Sequence, residues 1–129
     1  MILFKDVCYN TFCRHLLIRG ERLKEKIIKE VITDILLESG FTVSEIILFG
    51  SRARGNFTEE SDWDILVLVK ENLTLDDRKA LWRKIYHTMH SYFPGISFDI
   101  IIKSQDIFDA EKDIVNTVSN EAYTEGVKL

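Results

Sequence analysis

Two aspartates two residues apart, Asp62 and Asp64, stand at the mouth of an apolar run in "SDWDILVLV". On an extended backbone both side chains leave the same face, together with Leu66 and Leu68. Carboxylates so arranged repel each other and lose solvent, which disfavours their charged forms. Open water, a basic side chain or a cation must compensate. A hard divalent cation with oxygen ligands does so most directly. Asp99 interrupts a second apolar run, "ISFDIII". There Phe98, Ile100 and Ile102 face one way and Asp99 and Ile101 the other, so an uncompensated carboxylate would be costly. If the two strands are neighbours, Asp62, Asp64 and Asp99 converge into an oxygen cage for one or two Mg²⁺ ions. Two such ions about 4 Å apart can clamp the attacking and leaving oxygens of a phosphoryl transfer.

Gly50 and Ser51 supply a complementary feature. They follow the apolar run Ile46 to Phe49 directly, where a strand gives way to a turn or helix and backbone N–H groups lack partners. Such groups can hold phosphate oxygens. Gly50 permits close approach, and the Ser51 hydroxyl can donate a further bond. Of the nearby cations Arg52 and Arg54, one can meet phosphate while the other braces the carboxylates; the spacing does not assign the roles. Gly-Ser, Asp-x-Asp or a lone strand aspartate is a common feature. In this order, on these elements, they point to a Mg²⁺-dependent site for a nucleoside triphosphate.

The elements that must position these residues are legible from periodicity. Leu23, Ile27, Ile28, Val31, Ile32, Ile35 and Leu36 recur at helical spacing from Gly20 onward, with charged residues opposite, and Gly40 is placed to end the helix. Ile46 to Phe49 reads as a buried strand, and Ile65 to Val69 as a central one, apolar on both faces. A helix between Leu73 and Ser91 has Thr74 as its cap and Asp77 in the usual acidic position. Leu75, Leu81, Trp82, Ile85 and Met89 form its apolar stripe. Ile96 to Ile102 is the third strand. Ser104 starts a short helical turn, and Ile114, Val115, Val118 and Ala122 mark a final helix ending at Gly126. The order predicts an α/β (α+β) domain, a small mixed β-sheet flanked by helices. The pattern leaves strand direction open. Residues 20–129 form this domain. Residues 1–19, with Phe4, Val7, Phe12, Leu16 and Leu17, are an N-terminal extension that fits a strand, a helix or both.

Composition bounds the function. The 129 residues suffice for one core. With 46% hydrophobic and 29% charged residues, the chain reads as a soluble globular protein. A net charge of −4 gives no reason to expect nonspecific nucleic-acid binding. Basic residues (Arg14, Arg19, Arg22, Lys24, Lys26, Lys29) come early and acidic ones (Asp106, Asp109, Glu111, Asp113, Glu121, Glu125) late, and both runs read as solvated faces. Cys8 and Cys13 match no common metal or redox spacing and fit buried thiols in a reducing cytosol. No apolar run spans a membrane, and the start lacks the features of a signal peptide.

Gly50-Ser51, ten residues, Asp62-Trp63-Asp64 and a later strand aspartate, Asp99, resemble the nucleotidyltransferase superfamily that includes DNA polymerase beta. "GSRARG" followed by "SDWDILV" looks like its minimal nucleotidyltransferases, over roughly Leu23 to Tyr123. The resemblance implies the polymerase beta-like fold. It implies that Asp62 and Asp64 bind the metals carrying the triphosphate of ATP. Asp99 would complete the second metal site and help activate the acceptor hydroxyl. Gly50 and Ser51 would hold the β- and γ-phosphates, and the acceptor oxygen would attack the α-phosphorus and expel pyrophosphate. Minimal members resemble antitoxins that move AMP from ATP onto a tyrosine of a separate HEPN ribonuclease toxin. A partner of that kind would supply the helical acceptor domain for which this chain has almost no residues. Two alternatives stand beside it: a binding antitoxin with little catalysis, and transfer to a small molecule such as an aminoglycoside. A homodimer is open too.

Other conspicuous residues have plainer readings. His15, His87 and His90 show no metal spacing. Trp63 should point away from its flanking aspartates and pack against a helix. Trp82 and Met89 sit at helix-core spacing. Tyr123 fits ordinary packing, and Lys70 and Lys103 read as solvated strand ends.

Overall fold

A computed structural model describes the backbone of residues 11–129 and the side chains from residue 22 onward. Readings made for residues 1–10, and for the side chains of Phe12, Cys13, Arg14, His15, Leu16, Leu17 and Arg19, lie outside the described residues. In chain order the elements are α1 (Thr11–Glu38), β1 (Val43–Phe49), α2 (Gly50–Arg54), β2 (Trp63–Val69), α3 (Leu75–Tyr92), β3 (Phe98–Ser104), α4 (Gln105–Glu111), α5 (Val118–Glu125) and β4 (Val127–Lys128). The four strands form one mixed sheet in the order β3-β2-β1-β4. β2 runs antiparallel to β1 and parallel to β3.

β2 is central, and every residue from Ile65 to Val69 is fully buried. Its alternating side chains serve two cores. Ile65 and Val67 join Ile28, Ile32 and Leu36 of α1 and Leu81, Ile85 and Met89 of α3 on one face. Leu66 and Leu68 join Ile47, Phe49, Phe108 and Ala122 on the other, under α4 and α5. Period-two alternation puts Asp64 on this second face, beneath α5.

α1 begins at Thr11 within the described residues and runs unbroken through Gly20, so the boundary drawn there falls inside one helix. Gly40 closes it with φ 86°. The capping box of α3 is formed: Thr74 Oγ1 accepts from Asp77 N–H at 3.0 Å, and Asp77 Oδ2 accepts from Thr74 N–H at 3.2 Å. Three side-chain expectations need correcting. Leu23, Leu75 and Trp82 are exposed at the edges of their helical stripes rather than buried. Ile114 and Val115 precede the final helix and face solvent, because Thr117 caps a fresh start by accepting from Asn120 N–H. Asp99 is exposed; among the described residues β3 lies at the sheet edge. Among the described residues, no helix is long and apolar enough to cross a membrane.

Candidate functional site

The site lies where β1 ends and β2 and β3 begin. Strand register pairs Phe49 with Asp64 across β1 and β2, and Asp64 with Asp99 across β2 and β3. The residue after Phe49 is therefore brought against the Asp64 side chain. Gly50 has φ 73°, a conformation that favours glycine. A Cβ on Gly50 would lie 2.0 Å from Asp64 Oδ2 and 3.0 Å from Cγ. The missing side chain makes the cradle in which the Asp64 carboxylate sits. Ser51 follows, half-buried in the first turn of α2.

The two arginines separate. Arg52 is buried, at 6% exposure. Its Nε donates to Ser61 C=O at 3.1 Å, and its Nη2 to Thr58 and Glu59 C=O, both at 3.3 Å. Its guanidinium also covers the Phe57 and Trp63 rings, at 4.9 and 4.3 Å. Arg52 thus laces the loop that delivers Asp62 to the core beneath it. Thr58 and Ser61 close that loop locally, with Thr58 N–H donating to Ser61 Oγ at 2.9 Å. Trp63, between the aspartates, points into the core and stacks near Phe98, as its alternation predicts. Arg54 turns the other way. Its Nη1 lies 3.2 Å from Glu125 Oε2 and 3.7 Å from Glu121 Oε1 on α5.

Asp64 carries the electrostatic load. Burial, then Asp99, Asp62 and Glu121, raise its pKa to about 6, and Arg54 only partly opposes them. Asp62 and Asp99 are exposed, so the desolvation expected at Asp99 falls on Asp64 instead. Glu121 is a fourth carboxylate that sequence reasoning assigned to a solvated face. Its link to the site is purely tertiary, and no local spacing marks it.

Asp64 and Asp99 are brought together by register, with Asp62 two residues upstream. Among the described residues, no three His, Cys, Asp or Glu side chains are gathered closely enough to cage a metal alone. The three-carboxylate cage expected from the sequence is therefore not assembled by these side chains alone; Mg²⁺ in general is held through one or two carboxylates plus substrate phosphates. The crowded negative charge and the Gly50 cradle fit an arriving cation. A groove of about 490 Å³ opens beside Arg54, walled by Asn116, Asn120, Glu121 and Glu125.

The remaining singled-out side chains behave as framework. Lys103 is not the solvated strand end expected: it is largely buried, and its Nζ lies 2.8 Å from Glu111 Oε1 and 3.0 Å from Ser119 Oγ. His90 packs among Tyr86 and Phe98. Tyr123 is exposed and meets Phe108 edge-on.

The family model for "Polymerase beta, Nucleotidyltransferase" matches residues 25–127, a span that holds the whole site. "Putative protein adenylyltransferase MJ0141" of Methanocaldococcus jannaschii is 38% identical over 104 residues, covering 81% of this chain and 96% of its own. MJ0604 of the same organism, named in the same form, is 34% identical over 88 residues, 67% of this chain and 79% of its own. Among solved structures, a chain of a toxin-antitoxin with AMP-PNP is 22% identical with a TM-score of 0.44, covering 67% of this chain and 59% of that one. A chain of a toxin-antitoxin MntA-HpeT mutant is 24% identical with a TM-score of 0.49, covering 82% and 70%. Neither of these two structural likenesses is close enough to bear on function. The match over most of the chain makes this protein a member of the polymerase beta nucleotidyltransferase family, a family of enzymes.

Proposed function

We propose that this protein transfers AMP from ATP to a hydroxyl of a partner protein, a tyrosine of a HEPN-type toxin, and so acts as its antitoxin. The observation that carries the reading is the Asp64 carboxylate, seated in the space left by Gly50 and in register with Asp99. The likeness to proteins named as protein adenylyltransferases supports a protein acceptor.

In this reading Asp62 and Asp64 hold Mg²⁺, with Asp99 completing a second position. When bound, the ion neutralises triphosphate charge in the transition state. The Gly50 and Ser51 N–H groups bind the terminal phosphates. Arg52 keeps Asp62 in position through the loop carbonyls. Arg54, held by Glu121 and Glu125, lends positive charge at the rim, and the groove beside it takes the nucleoside. Asp99, exposed next to Asp64, accepts the hydrogen bond of the acceptor hydroxyl and orients its oxygen. That oxygen gives up its proton, through Asp99 to solvent, and bonds to the α-phosphorus as the bond to the bridging oxygen breaks, and pyrophosphate leaves. Positioning and electrostatics carry the rate.

The experiment is transfer from ATP labelled at the α-phosphorus to a candidate HEPN-type toxin that co-purifies with this protein, with Mg²⁺ present. Label is expected on a toxin tyrosine with wild type and lost with Asp62→Ala/Asp64→Ala. Equal label with both proteins, or neutralisation of the toxin by the double variant as well as by wild type, would overturn the catalytic reading.

A further inference from the structure

Among the described residues, β3 pairs on one side only, with β2. Trp63 N–H donates to Ser97 C=O at 3.0 Å, and the parallel ladder alternates from that bond. Asp99 and Ile101 therefore turn their peptide groups toward β2, while Ile100 and Ile102 turn theirs to the open edge. Such a row can template another strand. α3 flanks this edge, and a groove of about 520 Å³ runs between them. Its helical wall holds Leu75 and Trp82, which are 59% and 40% exposed. Three cations share that wall: Arg78, Lys79 and Arg83. Among the described residues none of the three forms an ion pair, and no carboxylate lines the groove.

We propose that this groove docks an extended, acidic segment of a partner protein, which adds to β3 as a further strand. The open peptide groups of Ile100 and Ile102 call for a peptide backbone, which a nucleic acid lacks. On its α3-facing side, which carries every second residue, apolar residues of the incoming strand would cover Leu75 and Trp82 and carboxylates would meet the three cations. A second copy of this chain pairing β3 to β3 would bring two sets of cations together, so charge opposes it. The edge leads to Asp99, next to Ile100. The corollary that the docked segment carries the acceptor hydroxyl rests on the protein-transfer reading above; the docking itself does not.

The probe is a fluorescein-labelled peptide of roughly ten residues in which every second residue is in turn Val and Glu, with Thr between them, so that both types share one face; its binding is followed by fluorescence anisotropy without nucleotide or metal. Two controls accompany it: the same peptide N-methylated at alternate amides, and one with Lys replacing Glu. The acidic peptide is expected to bind at least about tenfold more tightly than either control. Arg78→Glu/Arg83→Glu should weaken it by a similar factor while keeping the wild-type melting temperature, both positions being exposed. Lys79→Glu alone, a milder change, should weaken it in the same direction.

Four results would overturn the proposal: no binding, equal binding of the N-methylated peptide, tighter binding of an oligothymidylate, or a wild-type dimer that the charge-reversed protein loses. Asp62→Ala/Asp64→Ala should bind the peptide as wild type does. If transfer to the toxin fails while the peptide still binds, the proposed activity falls and the groove stands. If transfer succeeds but the peptide does not bind, the groove falls alone.

Discussion

At residue 50 the backbone is left-handed and a Cβ would invade the space of the Asp64 carboxylate. Gly50→Ala therefore meets two costs, roughly 1–2 kcal/mol for the backbone and displacement of Asp64. We expect a folded protein of lower Tm whose transfer activity falls more steeply than its stability, read by melting and by the labelled-ATP assay side by side. Asp64→Asn should behave oppositely in stability. The carboxylate is disfavoured by burial and by Asp99, Asp62 and Glu121, so a neutral amide of the same shape relieves repulsion. Without metal the variant should melt a few degrees higher than wild type, and with Mg²⁺ present it should transfer about 10²–10³-fold more slowly. A lower Tm would show that the attraction of Arg54 outweighs that repulsion. The pair Asp62 and Asp64 was legible, because Asp-x-Asp before an apolar run states their shared face; that Asp64 alone of the two loses solvent was not. The clearance that Asp64 needs from Gly50 was not legible. It acts across two strands, and the same glycine read locally suggests only phosphate approach.

At the scale of elements, the decisive piece is the loop between α2 and β2, held by the buried Arg52. Hydrogen bonds to a charged group contribute about 1.5–3 kcal/mol each, and the side chain also packs on Phe57 and Trp63. Arg52→Ala should cost about 2–4 kcal/mol in urea unfolding and lower transfer through misplacement of Asp62. Arg52→Lys should recover little of either, since an ammonium cannot reproduce the planar fork that serves several carbonyls. Recovery of full activity by lysine would mean that charge alone matters there. The sequence left Arg52 and Arg54 interchangeable, because both lie one turn from Gly50 and only the fold decides which is buried. Elements with strong local signals were readable: β2 by its unbroken apolar run, α3 by its capping box. The final helix was drawn too early because Ile114 and Val115 fall at helical spacing from Val118 and Ala122. Asn116, at φ 70°, breaks that continuity. β4 has only two residues, both exposed, which is too little for a periodicity to register.

At the scale of the whole molecule, the two cores on either side of the sheet must stay in register for the carboxylates to meet. On the α4–α5 side, that coupling runs through a polar network. Lys103 on β3 holds Glu111 at the end of α4, and both reach Ser119 on α5. The Lys103 ammonium is the main cause that holds the Glu111 carboxyl below its ordinary value of 4.5. A carboxyl with a depressed folded pKa binds fewer protons than its unfolded counterpart, so stability rises with pH through that window. The contribution of Glu111 is complete above pH 4.5 and is lost as pH falls below it. Glu111→Gln should therefore unfold at lower urea than wild type at pH 7, and the difference should shrink as the pH is lowered below 4.5. Because Glu111 is partly exposed, added salt should narrow the gap at pH 7 as well. A difference that persists unchanged at acid pH would instead assign the loss to packing of the α4 end. The same variant also tests whether the network reaches the site. α5 carries Glu121 and Glu125, which hold Arg54, so loosening α5 should raise the KM for ATP more than it lowers kcat.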